Sequence, residues 1–305
     1  MKRILQAVFL LLIPLSLSGQ LSPVTNQYVL NPLTINPAYA GNRGVLNLAA
    51  NYRRQWAGIK GAPETVTFAA DAPVADNKIG LGLIIMNDKV GVTNNTYIMS
   101  NYAFNITLGD GSLSFGLGAG IITTNTVWSD LVVLDPGDEL YLTNSSRFLV
   151  PSFSFGTYYN NHNFFLGFSV PEFVGYKFNY DKNKYGLTVD PSQYNFLLYT
   201  GYAINLSPKV DLIPSTLLNL NPGQKLLVDL NANLNFNNRF WIGASYRNER
   251  SVGALVQLQV SNQFKIAYTY DFDTGKLGGY SNGSHEIMLR YEFRYKVKVV
   301  DPLIF

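Results

Sequence analysis

Three stretches of this chain alternate almost without a break between apolar and polar residues for 9–11 positions. In Ser284–Arg294, one face carries His285, Ile287, Leu289, Tyr291 and Phe293, and the other Glu286, Met288, Arg290, Glu292 and Arg294. In Gln263–Asp271, Phe264, Ile266, Tyr268 and Tyr270 oppose Lys265, Ala267, Thr269 and Asp271. In Leu226–Phe236, Val228, Leu230, Ala232 and Leu234 oppose Asp229, Asn231, Asn233 and Asn235. A period of two is the period of a β-strand. Soluble strands usually stop at about five or six residues, whereas a tilted strand needs about 9–11 to cross hydrocarbon.

Runs of this kind number about fourteen, beginning near 45, 64, 78, 96, 111, 151, 162, 193, 209, 224, 239, 251, 263 and 284. The count is even, as in bacterial single-chain barrels. Every second link is short: Val74–Asn77, Leu108–Asp110, Asn160–Asn161, Ser207–Pro208, Asn237–Asn238 and Ser261–Asn262. Several of the intervening links are long, notably Arg54–Pro63, Thr123–Val150, Pro171–Pro191 and Phe272–Gly283. That asymmetry predicts a single all-β, transmembrane antiparallel barrel with short periplasmic turns and long extracellular loops. A soluble β-sandwich is the rival, but it needs shorter strands and a second sheet to cover each core face. Gly116, Gly118 and Gly120 alternate with Phe115, Leu117, Ala119 and Ile121, and Gly80, Gly82, Gly156, Gly167, Gly201 and Gly243 repeat the habit. Small inward residues leave room inside a barrel or permit tight curvature.

Composition agrees with one oily and one wet face. Charged residues make up only 14% against 47% hydrophobic, while a mean hydropathy of +0.04 is far too low for a bundle of membrane helices. Lys2 and Arg3, the apolar run Ile4–Leu17 and the small pair Ser18-Gly19 read in order as a secretory signal peptide. The expected organisation is therefore a signal peptide over 1–19, an irregular Pro-rich segment over 20–44, and an outer-membrane barrel over 45–305. Asn-Pro twice within 31–37 disfavours helix and strand and sets rigid turns. Tyr28, Leu30, Leu33, Ile35 and Tyr39 are too apolar for a solvated tether, so the segment is expected to plug the lumen or dock at its mouth.

The search for chemistry yields little. There is no cysteine, which removes thiolate metal sites and disulfides. The two histidines, His162 and His285, lie far apart, with no carboxylate at metal spacing. No G-x-S-x-G elbow exists, and the Gly-x-Gly-x-Gly of 116–120 lies within a strand, not at a strand-to-helix turn. An outer-membrane hydrolase is therefore disfavoured, and no catalytic residue, metal or cofactor is expected. The acidic run Asp135-Pro136-Gly137-Asp138-Glu139 reads as a solvated turn or, less favourably, a calcium loop. Glu286, Arg290, Glu292 and Arg294 share the polar face of the last strand and are expected to form inward ion pairs. A net charge of +3 is too small to point to nucleic acid.

The block Gln27-Tyr28-Val29-Leu30-Asn31-Pro32-Leu33-Thr34-Ile35-Asn36-Pro37-Ala38-Tyr39-Ala40-Gly41 resembles the N-terminal signature of the PorP/SprF family, outer-membrane proteins of the type IX secretion system in Bacteroidota. The similarity continues through Tyr52-Arg53-Arg54-Gln55-Trp56, Gly61-Ala62-Pro63-Glu64-Thr65, Ile79-Gly80-Leu81-Gly82-Leu83, Asn87-Asp88-Lys89-Val90-Gly91, Gly167-Phe168-Ser169-Val170-Pro171 and His285-Glu286-Ile287-Met288-Leu289. The resemblance implies a non-catalytic part of a secretion and gliding apparatus. Its implied partners are periplasmic components of that machine and the C-terminal sorting domain of large adhesin-like clients. Asn31, Pro32, Asn36, Pro37, Ala38, Tyr39, Gly41 and Trp56, with Trp128, Phe173 and Tyr176 of the long loops, are the expected docking residues. The alternative is an outer-membrane channel for small or hydrophobic solutes, which needs a continuous wet path through the lumen.

Overall fold

The structure, a computed structural model, describes residues 26–130, 147–173, 175–179, 184–188, 191, 194–222, 224–248 and 250–293. The signal-peptide segment, the acidic run 135–139, Arg294 and the basic tail that follows it lie outside the described residues.

The wall is a closed antiparallel barrel of 14 strands. They are β1 (Leu46–Arg54), β2 (Glu64–Val74), β3 (Ile79–Val90), β4 (Thr93–Leu108), β5 (Gly111–Thr126), β6 (Phe148–Asn160) and β7 (Phe164–Val170). After them come β8, in two pieces (Phe196–Tyr202 and Ile204–Ser207), β9 (Val210–Leu220), β10 (Leu227–Phe236), β11 (Phe240–Arg247), β12 (Ser251–Gln259), β13 (Phe264–Asp273) and β14 (Ser284–Phe293). Each strand pairs with its sequence neighbour, and β1 closes on β14 with Leu46 opposite Phe293 and Arg54 opposite His285. Closure of β1 on β14 joins the two ends of the sheet, the condition for carrying backbone polar groups through hydrocarbon.

The expected starts agree with the observed ones to within a few residues at every strand, because the turn chemistry is explicit. At Ala75-Asp76-Asn77 and Asn237-Asn238 the backbone takes positive φ, which Asn and Asp tolerate better than most residues. Two long links differ from expectation. Thr123–Thr126 belongs to β5, where Thr123 pairs with Leu149 of β6, so the connection spans 127–147. The link after β7 carries a small hairpin, Gly175–Asn179 against Lys184–Thr188, which was expected to be loop.

The wall's register puts Leu81, Leu83 and Ile85 of β3, Tyr268 of β13 and Ile287 and Leu289 of β14 on the exposed outer face. Their sequence neighbours Arg290, Glu292, Ala267, Thr269 and Asp271 are buried inside. A contiguous apolar outer band of this extent does not survive in water and marks a lipid-facing surface. Leu289→Arg, at mid-strand, should therefore cost about 2–4 kcal/mol in urea unfolding from lipid vesicles. A neutral result there would place Leu289 on the wrong face of the wall.

Candidate functional site

Residues 26–45, ahead of β1, run inside the barrel. Their 3-10 turns are Asn26–Val29, Pro32–Thr34 and Pro37–Tyr39. Pro32 and Pro37 each open a turn, where a missing N–H costs nothing and the fixed φ is already suitable. Asn36 caps the last turn, its Oδ1 accepting from the Ala38 N–H at 2.9 Å. The same side chain holds the segment to the wall, Nδ2 donating to the carbonyls of Thr157 on β6 (2.9 Å) and Phe168 on β7 (3.3 Å).

Further ties reach most of the way round the lumen. The Asp71 carboxylate on β2 accepts from the Gly41 N–H at 3.0 Å and from Asn47 Nδ2 at 2.7 Å. Ser169 Oγ on β7 donates to the Ile35 carbonyl at 2.6 Å. Asn231 Nδ2 on β10 donates to the Tyr28 hydroxyl at 2.7 Å. Arg290 on β14 and Arg43 of the segment both donate to the Leu30 carbonyl. Burial, with the Asp229 charge beside it, pushes the Tyr28 hydroxyl above its ordinary range, so it stays protonated. Leu30, Leu33, Ala38, Tyr39 and Ala40 pack in one cluster with Ala49, Ala69, Ala103, Tyr158, Leu255, Ala267 and Met288 of the wall. Tyr28 stands edge-on to Tyr199 of β8 at 5.5 Å, and Tyr39 to Tyr158 at 5.2 Å.

Three of the inward glycines now have a reason. A Cβ at Gly80 would lie 1.8 Å from the Ala40 oxygen, one at Gly116 2.1 Å from the Ala38 nitrogen, and one at Gly156 2.0 Å from Asn36 Oδ1. They make room for this segment, not an open passage.

Asn31, Pro32, Asn36, Pro37, Ala38, Tyr39 and Gly41 are thus all buried within the barrel, and the contacts of the segment are with its own wall. An exposed docking surface made of these side chains is not what the fold presents. Trp56 sits at positive φ (48°) in the loop after β1, and its indole N–H donates to Asp273 Oδ2 at 2.6 Å, joining that loop to the end of β13. Trp128 is half-buried in a 3-10 turn after β5. Phe173 is half-buried too, 5.9 Å from the Phe153 ring. Tyr176 lies in the loop hairpin. Trp56 and Phe173 thus have their recorded partners among the loops and strand ends, not among the buried residues of the segment.

The last strand's charges pair across strands more than along their own. Glu286 accepts from Arg53 of β1 at 2.9 Å and from Asn51 at 2.7 Å, while Arg53 also reaches Asp271 of β13 at 3.1 Å. Glu292 faces Lys265 at 3.1 Å, Arg43 at 3.6 Å and Arg290 at 4.0 Å. A third pair, Arg247 and Asp229, is bidentate at 2.6 Å for each bond. Arg43, Arg53, Arg247 and Lys265 were missed as partners, because strand alternation shows a face but not which charges meet across it.

Between the luminal segment and the short-turn rim lies a cavity of about 420 Å³, reaching the exposed turn residues Asn237, Asn238 and Arg239. Among the described residues no group of three or more His, Cys, Asp or Glu side chains is placed to hold a metal ion. His285 shares a 2.7 Å hydrogen bond with the Tyr268 hydroxyl on the outer face.

An apolar outer band, a paired-charge interior and a closed wall define a transmembrane β-barrel of the outer-membrane type, here with a segment of its own chain across the lumen. Residues 17–291 match the family described as "Type IX secretion system membrane protein PorP/SprF". The chain belongs to the PorP/SprF family. No curated protein matches it. Among solved structures, the Acinetobacter baumannii outer membrane protein Omp33 is 8% identical with a TM-score of 0.47, covering 82% of this chain and 98% of that one. The monoaromatic hydrocarbon channel CymD is 11% identical with a TM-score of 0.48, covering 91% and 95%. The P. putida toluene transporter TodX is 9% identical with a TM-score of 0.49, covering 87% and 94%.

Proposed function

We propose that this barrel is a non-catalytic anchor or adaptor of the type IX secretion and gliding apparatus in the outer membrane, reached through the signal peptide 1–19. It assists the export and surface retention of large adhesin-like clients through their C-terminal sorting domain. In this reading the long loops face outside and the short turns face the periplasmic components of the machine. The observation that carries it is the lumen itself. The segment 26–45 is hydrogen-bonded to β2, β6, β7, β10 and β14, a poor arrangement for a channel, which needs a continuous wet path.

Outward loops positioned by a rigid wall are where partner contacts concentrate. Shortening the connection within 127–147, which leaves every β5–β6 pair intact, should spare barrel assembly on heat-modifiability gels and abolish surface display of a client. Normal display by that variant, with solute uptake reduced, would replace the adaptor with a channel.

A further inference from the structure

We propose that the vestibule below the luminal segment is a binding site for a short acidic peptide, offered by a partner on the short-turn side; calling that partner periplasmic rests on the function proposed above. Charge carries the assignment. Arg43, Lys265 and Arg290 all line the cavity and share the single carboxylate of Glu292. Asp71 is a second acid acting on Arg43 and Arg290, and it already accepts two hydrogen bonds. Arg239 stands exposed at the mouth. Three sheltered cations less two carboxylates leave a surplus of one positive charge around the space, to which Arg239 at the mouth adds a second. Cations withdrawn from bulk water without matching acids favour an anionic occupant.

The remaining wall favours a peptide over a small inorganic ion. A volume of about 420 Å³ lies in the range of sites that enclose organic ligands, roughly 300–1,000 Å³. Tyr39, Tyr199 and Trp241 supply aromatic surface beside the cations. Gln257 also lines the cavity, is 3% exposed, and its Oε1 has no hydrogen-bond partner. An orphaned buried carbonyl is costly, and a peptide N–H donor entering beside it would satisfy it.

The test uses the full chain in mild detergent with fluorescein-labelled tetraglutamate, followed by anisotropy at low ionic strength, where exposed charges are least screened. Tetraglutamate should bind, and tetraglutamine should bind at least about tenfold more weakly. Arg239→Gln, at an exposed turn and outside the ion-pair cluster, and Lys265→Gln should each weaken tetraglutamate by about tenfold while the heat-modifiable band persists. Unchanged affinity in Arg239→Gln, or displacement by inorganic phosphate at the concentration at which unlabelled peptide displaces, would overturn the proposal. Because the assay is made on purified protein, normal client display by the loop-shortened variant alongside intact tetraglutamate binding would sink the adaptor reading and leave the site standing.

Discussion

Gly116→Val is expected to drive the luminal segment off the wall, lower stability by about 3 kcal/mol or more, and give the barrel a measurable conductance in planar bilayers. The first atom of the new side chain would lie 2.1 Å from the Ala38 nitrogen and 2.4 Å from the Pro37 carbonyl carbon. Both are backbone atoms of a segment whose prolines have little freedom to yield, and overpacking against atoms that cannot move costs more than the usual 1–3 kcal/mol. The ladders of β5 with β4 and β6 use main-chain groups and favour a β-branched residue. The wall is therefore expected to form while its lodger is displaced. Gly279, with nothing within 4 Å of a built Cβ, is the matched control. A Gly116→Val barrel as stable and as silent as the parent would mean that the segment does not press on this wall.

The second large effect is expected at the buried charges. Arg53 lies between Glu286 and Asp271, with its side chain 7% exposed and theirs 0% and 3%. Arg53→Met removes the shared cation and leaves two carboxylates facing each other inside the barrel. Removing one partner of a buried ion pair costs about 3–5 kcal/mol. Glu286→Gln keeps the side-chain shape, the Asn51 bond and the Arg53–Asp271 contact, so it should cost less than half as much. Urea unfolding in lipid vesicles reads both. Equal costs would show that the pair with Glu286, and not the stranding of two carboxylates, carries the whole effect.

How much of this was legible in the sequence differs by interaction. The wall was readable at Ser284–Phe293 because a period of two leaves a single register that buries Arg290 and Glu292 and exposes Leu289. Strand ends were readable where Asn, Asp or Gly set the turn, and less so at β4 and β6, whose first residues continue the strands beyond the expected bounds. The hairpin 175–188 carries a signal that was passed over: Tyr176 and Phe178, then Tyr185 and Leu187, alternate on either side of the polar run Asp181-Lys182-Asn183-Lys184. The luminal segment was expected from its apolar residues, but not its seat. Gly80, Gly116 and Gly156 look in sequence like curvature devices, since the atoms that exclude a Cβ there belong to residues 36–40. The Arg43–Glu292 and Arg53–Glu286 contacts join opposite ends of the chain, a distance over which strand periodicity has no reach.

The seat of the N-terminal segment bears on how the molecule comes to exist. Asn51 meets Glu286 across 235 positions of chain, so the β1–β14 seam closes only after a very large loop has been brought together. Residues 26–45 lie inside that seam and touch strands from β2 to β14. A wall that closed first would have to readmit an apolar, proline-stiffened chain through its own mouth. A route in which the sheet curls around its leading residues, as around a mandrel, avoids that step, with the last strand arriving when the centre is already filled. Damage to Asn36 or Gly41 would on this account appear first as slow closure of the seam, before any loss in the finished barrel.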